Sequence, residues 1–137
     1  MRSIHFIVAL AIAVAVSSGQ AEDIDTLPAQ KEALAWLENV DAGGYGTSWD
    51  DAAGIFRKAV TRENWEKALA GVRAPLGAAG PRKMRSVTYT RNPPNAPEGE
   101  YVVIQYDTVF SLRGAVETIT PMKEADGRWR VSGYFIR

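Results

Sequence analysis

The spacing of apolar residues changes twice along this chain. Residues 4–16 form an aperiodic apolar run that holds no acidic or basic residue apart from His5. A helical period follows, with Ala33, Leu34, Trp36, Leu37 and Val40 recurring on one predicted face. The pattern predicts a second helix opened by Ser48 with Asp51 as a capping pair, carrying Trp49, Ala52, Ala53, Phe56 and Val60. A third starts at Thr61, carries Trp65, Leu69 and Val72, and stops at Ala74-Pro75-Leu76-Gly77. Beyond Pro81 the period becomes alternating. Residues 83–91, 100–110, 114–122 and 128–136 are rich in Val, Ile, Thr, Tyr and Phe and predict four strands. The Pro-rich segment 92–99 reads as a loop, and Asp126-Gly127 as a tight hairpin turn. The last three strands are expected to form an antiparallel meander whose concave face the helices cover. Three helices followed by four strands give an α+β fold, cone-like if the sheet is curved.

The first run has the layout of a secretory signal: a basic start at Arg2, the apolar stretch, then small residues at Gly19 and Ala21. A bilayer-spanning helix needs about 20 apolar residues, and this run ends sooner. Cleavage after Ala21 is therefore expected, with residues 22–28 as a linker, residues 29–137 as a single domain, and a periplasmic or secreted location. In the linker Asp25 or Thr26 is placed to cap the first helix, with Pro28 in its first turn. No membrane contact is expected after cleavage.

Composition narrows the chemistry. Lys plus Arg and Asp plus Glu each number 16, and losing Arg2 with the signal brings the balance to −1. That near-neutral charge, without a basic run, argues against a nucleic-acid partner. Cysteine is absent, and the one histidine, His5, leaves with the signal. Triads built on imidazole or thiolate are thereby excluded from the mature chain, and the usual zinc, haem and copper ligands are missing. No metal or cofactor is expected. Acid–base work would fall to Asp, Glu, Lys or Tyr.

Several residues have two readings each. Trp36, Trp49 and Trp65 with Phe56 would line an apolar pocket or, more in keeping with helical spacing, build the core. Tyr45, in the glycine segment 41–46, is a polar tip at a pocket mouth or a plug at a helix end. Arg73 and Arg82 would grip a carboxylate or phosphate bidentately, or serve locally against helix carbonyls or an acid such as Glu117. Val102, Ile104, Tyr106, Thr108 and Phe110 share the inward face of the second strand, which puts Asp107 outside. Neither face of the third strand is clearly core, so Glu117 has two directions. Turned inward, it is a candidate acid or base; turned outward, it pairs with Arg128 or Arg130, and the basic neighbouring strand favours the outward direction. Asp50-Asp51 reads as a helix-start pair rather than a calcium loop.

The segments Trp36-Leu37, Asp41-Ala42-Gly43, Ser48-Trp49, Arg73-Ala74-Pro75-Leu76-Gly77, Pro97-Glu98-Gly99-Glu100-Tyr101 and Asp126-Gly127-Arg128-Trp129 occur in one order over nearly the whole mature chain. In this the chain resembles the exported bacterial family known as domain of unknown function 4019. One departure is Asn95, where that family more often carries glycine. The resemblance implies a fold similar to the nuclear transport factor 2-like or cystatin-like cone, and no assigned activity. Dehydratases, isomerases and binding modules share that cone, so fold alone selects no function. The leading expectation is a binding or accessory domain for a small molecule or protein, able to form a homodimer through its open sheet face. The alternatives are a cofactor-free lyase or isomerase using Glu117, and a protease-inhibitor-like module.

Overall fold

The computed structural model describes residues 24–137; the segment expected to be a secretory signal, residues 1–21, lies outside the described residues. Its elements run α1 (Leu27–Asp41), α2 (Tyr45–Asp50), α3 (Gly54–Ala59), α4 (Arg62–Arg73), β1 (Ala79–Arg91), β2 (Glu100–Phe110), β3 (Gly114–Lys123) and β4 (Trp129–Ile136). The fold is α+β. All four strands, not only the last three, form an antiparallel meander in the order β1-β2-β3-β4, and the sheet is not closed.

The helices differ from expectation in one place. The segment read as a single second helix is two, α2 and α3, because the amides between them are drawn to β4 and to the turn that precedes it. Ala53 is extended, its N–H donates to the Val131 carbonyl at 2.8 Å, and the Gly54 N–H donates to Glu124 Oε2 at 3.0 Å. A chain committed to those bonds cannot continue the helical ladder. Ser48 is therefore not a cap but lies inside α2, and Asp50-Asp51 ends that helix instead of starting one. By contrast Thr61 caps α4 through the Asn64 N–H, as its position suggests.

On α1 the buried face is Ala29, Ala33, Trp36, Leu37 and Val40, while Leu34 faces outward at 47% exposure. This face packs on the inner surface of the sheet against Ile104, Ile119, Val131 and Tyr134. Trp36 and Trp65 belong to that core, and Trp49 packs against it half-buried. Trp36 meets Tyr134 edge-on at 5.2 Å, and Phe56 meets Trp65 edge-on at 4.8 Å, the geometry that ring quadrupoles favour. Their polar edges converge on one residue: the Trp36 indole donates to the Ser48 carbonyl at 2.8 Å, and the Trp65 indole to Ser48 Oγ at 2.9 Å. The Ser48 hydroxyl donates in turn to the Tyr45 carbonyl at 2.6 Å. A fully buried serine thus ties α1, α2 and α4 together.

Two loops show why particular residues occupy them. In the loop before β2, Asn92 and Gly99 bond reciprocally, N–H to carbonyl at 2.8 Å and N–H to side-chain oxygen at 2.7 Å. Asn95 has φ +63°, a left-handed conformation that glycine adopts freely and asparagine tolerates. Its exchange with glycine is conformationally conservative. After α4, Gly77 has φ +76°, and a β-carbon there would fall 2.1 Å from Ser111 Oγ. That contact seats the β2–β3 turn against the start of β1.

Replacing Ser48 by alanine leaves the buried Trp65 indole N–H without its acceptor. We expect Ser48→Ala to lower unfolding stability by about 1–3 kcal/mol, measured from urea unfolding midpoints. A change below a few tenths of a kcal/mol would mean that the serine does not hold the helices.

Candidate functional site

One end of the inner sheet face carries a cluster of charged residues where the core would otherwise be apolar. Glu117 on β3 is fully buried, which settles its direction. The outward pairing with Arg128 or Arg130 does not form; Arg130 instead pairs with Glu124 and Asp126 on its own hairpin. Register explains the inward turn: Glu117 stands opposite Tyr106, on the same face of β3 as Ile119, which stands opposite Ile104.

Four donor groups surround the Glu117 carboxylate. Arg82 Nε donates at 2.6 Å and Arg82 Nη2 at 3.3 Å. The Thr108 hydroxyl donates at 2.5 Å, and the Tyr134 hydroxyl donates to the second oxygen. Arg73 Nη1 stands 3.8 Å from that oxygen and 3.3 Å from the Tyr134 oxygen. Arg73 itself, the last residue of α4, is 5% exposed and lies over the Phe110 ring at 5.0 Å. Burial first, and then the Glu117 charge, push the Tyr134 phenol well above its ordinary value, so it acts here as a hydrogen-bond donor.

A second carboxylate, Asp41 at the end of α1, bridges the two arginines from the solvent side. It accepts from Arg82 Nη1 at 2.5 Å, Arg82 Nη2 at 2.8 Å and Arg73 Nη2 at 2.7 Å. Its side chain is a quarter exposed. Burial works to raise the Asp41 carboxyl, but the hydrogen bonds from Arg82 and Arg73 outweigh it and hold the carboxyl below the usual carboxylate range. Both arginines are raised despite their burial, by the hydrogen bonds that Asp41 accepts from them and by their other partners. Two positive and two negative charges make the cluster neutral.

Of the residues singled out from sequence, the structure brings Glu117, Arg73 and Arg82 into this cluster. Tyr45 lies beside it: an open depression of about 370 Å³ is lined by Asp41, Tyr45, Arg73 and Gly77 among others. Trp49 is elsewhere, half-buried, its indole donating to the Val60 carbonyl at 2.8 Å. Sequence reasoning did not single out Asp41 and Tyr134 as site residues, and it placed Thr108 and Tyr106 only as core. Their signal was positional. Asp41 continues the stripe Ala33–Leu37 at i+4, and Arg73 continues Trp65–Leu69 in the same way. Among the described residues no group of three or more acidic or histidine side chains is placed to hold a metal ion.

Two expectations follow from this geometry. Removing one partner of a buried ion pair leaves the other uncompensated, so Glu117→Gln should destabilise by about 3–5 kcal/mol, read by urea unfolding. A loss under 1 kcal/mol would contradict the buried pairing. Asp41 has its folded pKa depressed, so its stabilisation is present above the unfolded value of about 3.8 and disappears as pH falls through the lower folded value. Stability should therefore fall below about pH 4 in the native chain, and the fall should be shallower in Asp41→Asn. Equal slopes in thermal unfolding between pH 2 and 4 would exclude this role.

Comparison with known proteins adds the family and the fold class, and no activity. No curated protein matches the chain. A 2.5 Å structure of a protein from Catenulispora acidiphila superposes with a TM-score of 0.53, covering 81% of this chain and 88% of that one at 12% identity. At that identity the likeness concerns the fold alone. The family model described as protein of unknown function (DUF4019) matches residues 32–134, which includes every residue of the charged cluster, and the chain belongs to that family.

Proposed function

We propose that this chain is an exported, non-catalytic binding or accessory domain that works outside the cytoplasm. The observation that carries the non-catalytic reading is the engagement of Glu117. A general acid or base must reach a substrate proton with a free lone pair or a proton to give. Glu117 is the carboxylate that the inner face presents, yet Arg82, Thr108 and Tyr134 already occupy its oxygens and it has no solvent exposure. The depression beside the cluster is bounded by Asp41, Tyr45 and Arg73, not by Glu117. Its concave shape and mixed lining suit reversible contact with a small polar ligand. Export is supported by the basic start, the apolar run of residues 4–16 and the small residues before Glu22.

The inward direction of Glu117 also fits the lyase or isomerase reading, and one experiment separates the two. Native protein is incubated with a panel of small hydroxy acids, keto acids and amides and followed by proton NMR. Saturation-transfer signals from some compounds, with every compound recovered unchanged, is the expected result. Conversion of any compound that is lost in Tyr134→Phe would overturn the non-catalytic reading.

A further inference from the structure

We infer that the Arg73–Arg82 pair is a carboxylate-binding site for which Asp41 is the built-in competitor. The inference rests on the binding-domain reading and names the ligand chemistry of that site. Asp41 occupies the two guanidiniums as a ligand would. Its two oxygens take the parallel Nη1 and Nη2 hydrogens of Arg82 at 2.5 and 2.8 Å, and one of them also takes Arg73 Nη2 at 2.7 Å. This bidentate arrangement is the one in which guanidinium recognises carboxylates. A free carboxylate entering in its place meets the same donors.

Three features make Asp41 the member that yields. Its side chain is a quarter exposed, against none for Glu117 and 5% for Arg73. It is the last residue of α1, and Gly43 two residues later adopts φ +85°, so no long element anchors it from the C-terminal side. Finally, the open depression of about 370 Å³, lined also by Tyr45, reaches the cluster at Asp41 and Arg73, which gives an incoming carboxylate a route and the departing one a place in water.

Charge decides what can enter. With Asp41 in place the four ionised groups sum to zero. When Asp41 swings out, two arginines face Glu117 alone, and the cluster carries one uncompensated positive charge. A single carboxylate restores neutrality. On the same sheet face Tyr106 is the cross-strand neighbour of Glu117, and its buried hydroxyl has no hydrogen-bond partner among the described residues.

The test compares native protein with Asp41→Ala, using acetate, succinate, and a tripeptide with a free or an amidated C-terminus. Sodium chloride keeps ionic strength constant. An internal competitor reduces apparent affinity by the fraction of time that the site is open. Asp41→Ala should therefore bind acetate and succinate at least about tenfold more tightly than native protein does. In native protein the same ligands should shift the Arg73 and Arg82 Nε–H resonances at higher concentration. Tighter binding of the free-acid tripeptide than of acetate would identify a peptide C-terminus as the source, and the reverse a free small acid. If Asp41→Ala folds only in the presence of acetate and not chloride, that rescue supports the site as well.

Equal affinities in the two proteins, or native arginine resonances unmoved when a carboxylate saturates the protein, would overturn the inference. Carboxylate binding that leaves those resonances still would locate the ligand elsewhere and preserve the binding-domain reading. Conversion of a ligand would instead defeat that reading.

Discussion

A carboxylate without solvent exposure has to be matched by donors, and Glu117 draws them from every strand around it and from one helix. Arg82 comes from β1, Thr108 from β2 and Tyr134 from β4, while Arg73 approaches from the end of α4. Asp41 then closes the two guanidiniums from the end of α1. An unmatched charge in such a place would be strongly unfavourable. Helix positions and strand register must therefore agree at this one point. The cluster ties the ends of α1 and α4 to each other and to the sheet.

The apolar half of the core makes a complementary demand. Trp36, Phe56, Trp65 and Tyr134 fill the space between helices and sheet, and their polar edges are satisfied by Ser48 and by the charged cluster. Tyr134 belongs to both halves: its ring packs on Trp36 and its hydroxyl faces Glu117. Packing and electrostatics share a residue, so a disturbance in one reaches the other. In a chain without cysteine this interlocking takes the place of a covalent staple.

Charge balance also shapes the functional reading. Glu117 turned inward is where an acid–base catalyst would stand, and hydrogen bonds from Arg82, Thr108 and Tyr134 engage both of its oxygens. The exposed side of the cluster is different. There a carboxylate from the chain itself lies in a bidentate arginine grip, next to an open depression lined by Tyr45. The exposed donors of the cluster are thus the ones on which the proposed binding role rests, and the buried ones hold Glu117.

The sequence by itself determined the elements. Helical spacing gave α1 and α4, alternation gave four strands, and Asp126-Gly127 gave the last turn, because local periodicity and turn chemistry are written in neighbouring residues. It placed Val102, Ile104, Tyr106, Thr108 and Phe110 inward, where β2 buries them. It failed where a distant partner decided. The break between α2 and α3 depends on hydrogen bonds from Ala53 and Gly54 to residues more than 65 positions away. Glu117 depends on donors from four other elements, so alternation along β3, apolar on both faces, left its direction open. Asp41 and Arg73 each continue an apolar stripe at a helix end, a local trace of the cluster. Only the tertiary structure showed that the two stripes end at the same place, because complementarity of charge is a property of residues brought together and not of their order along the chain.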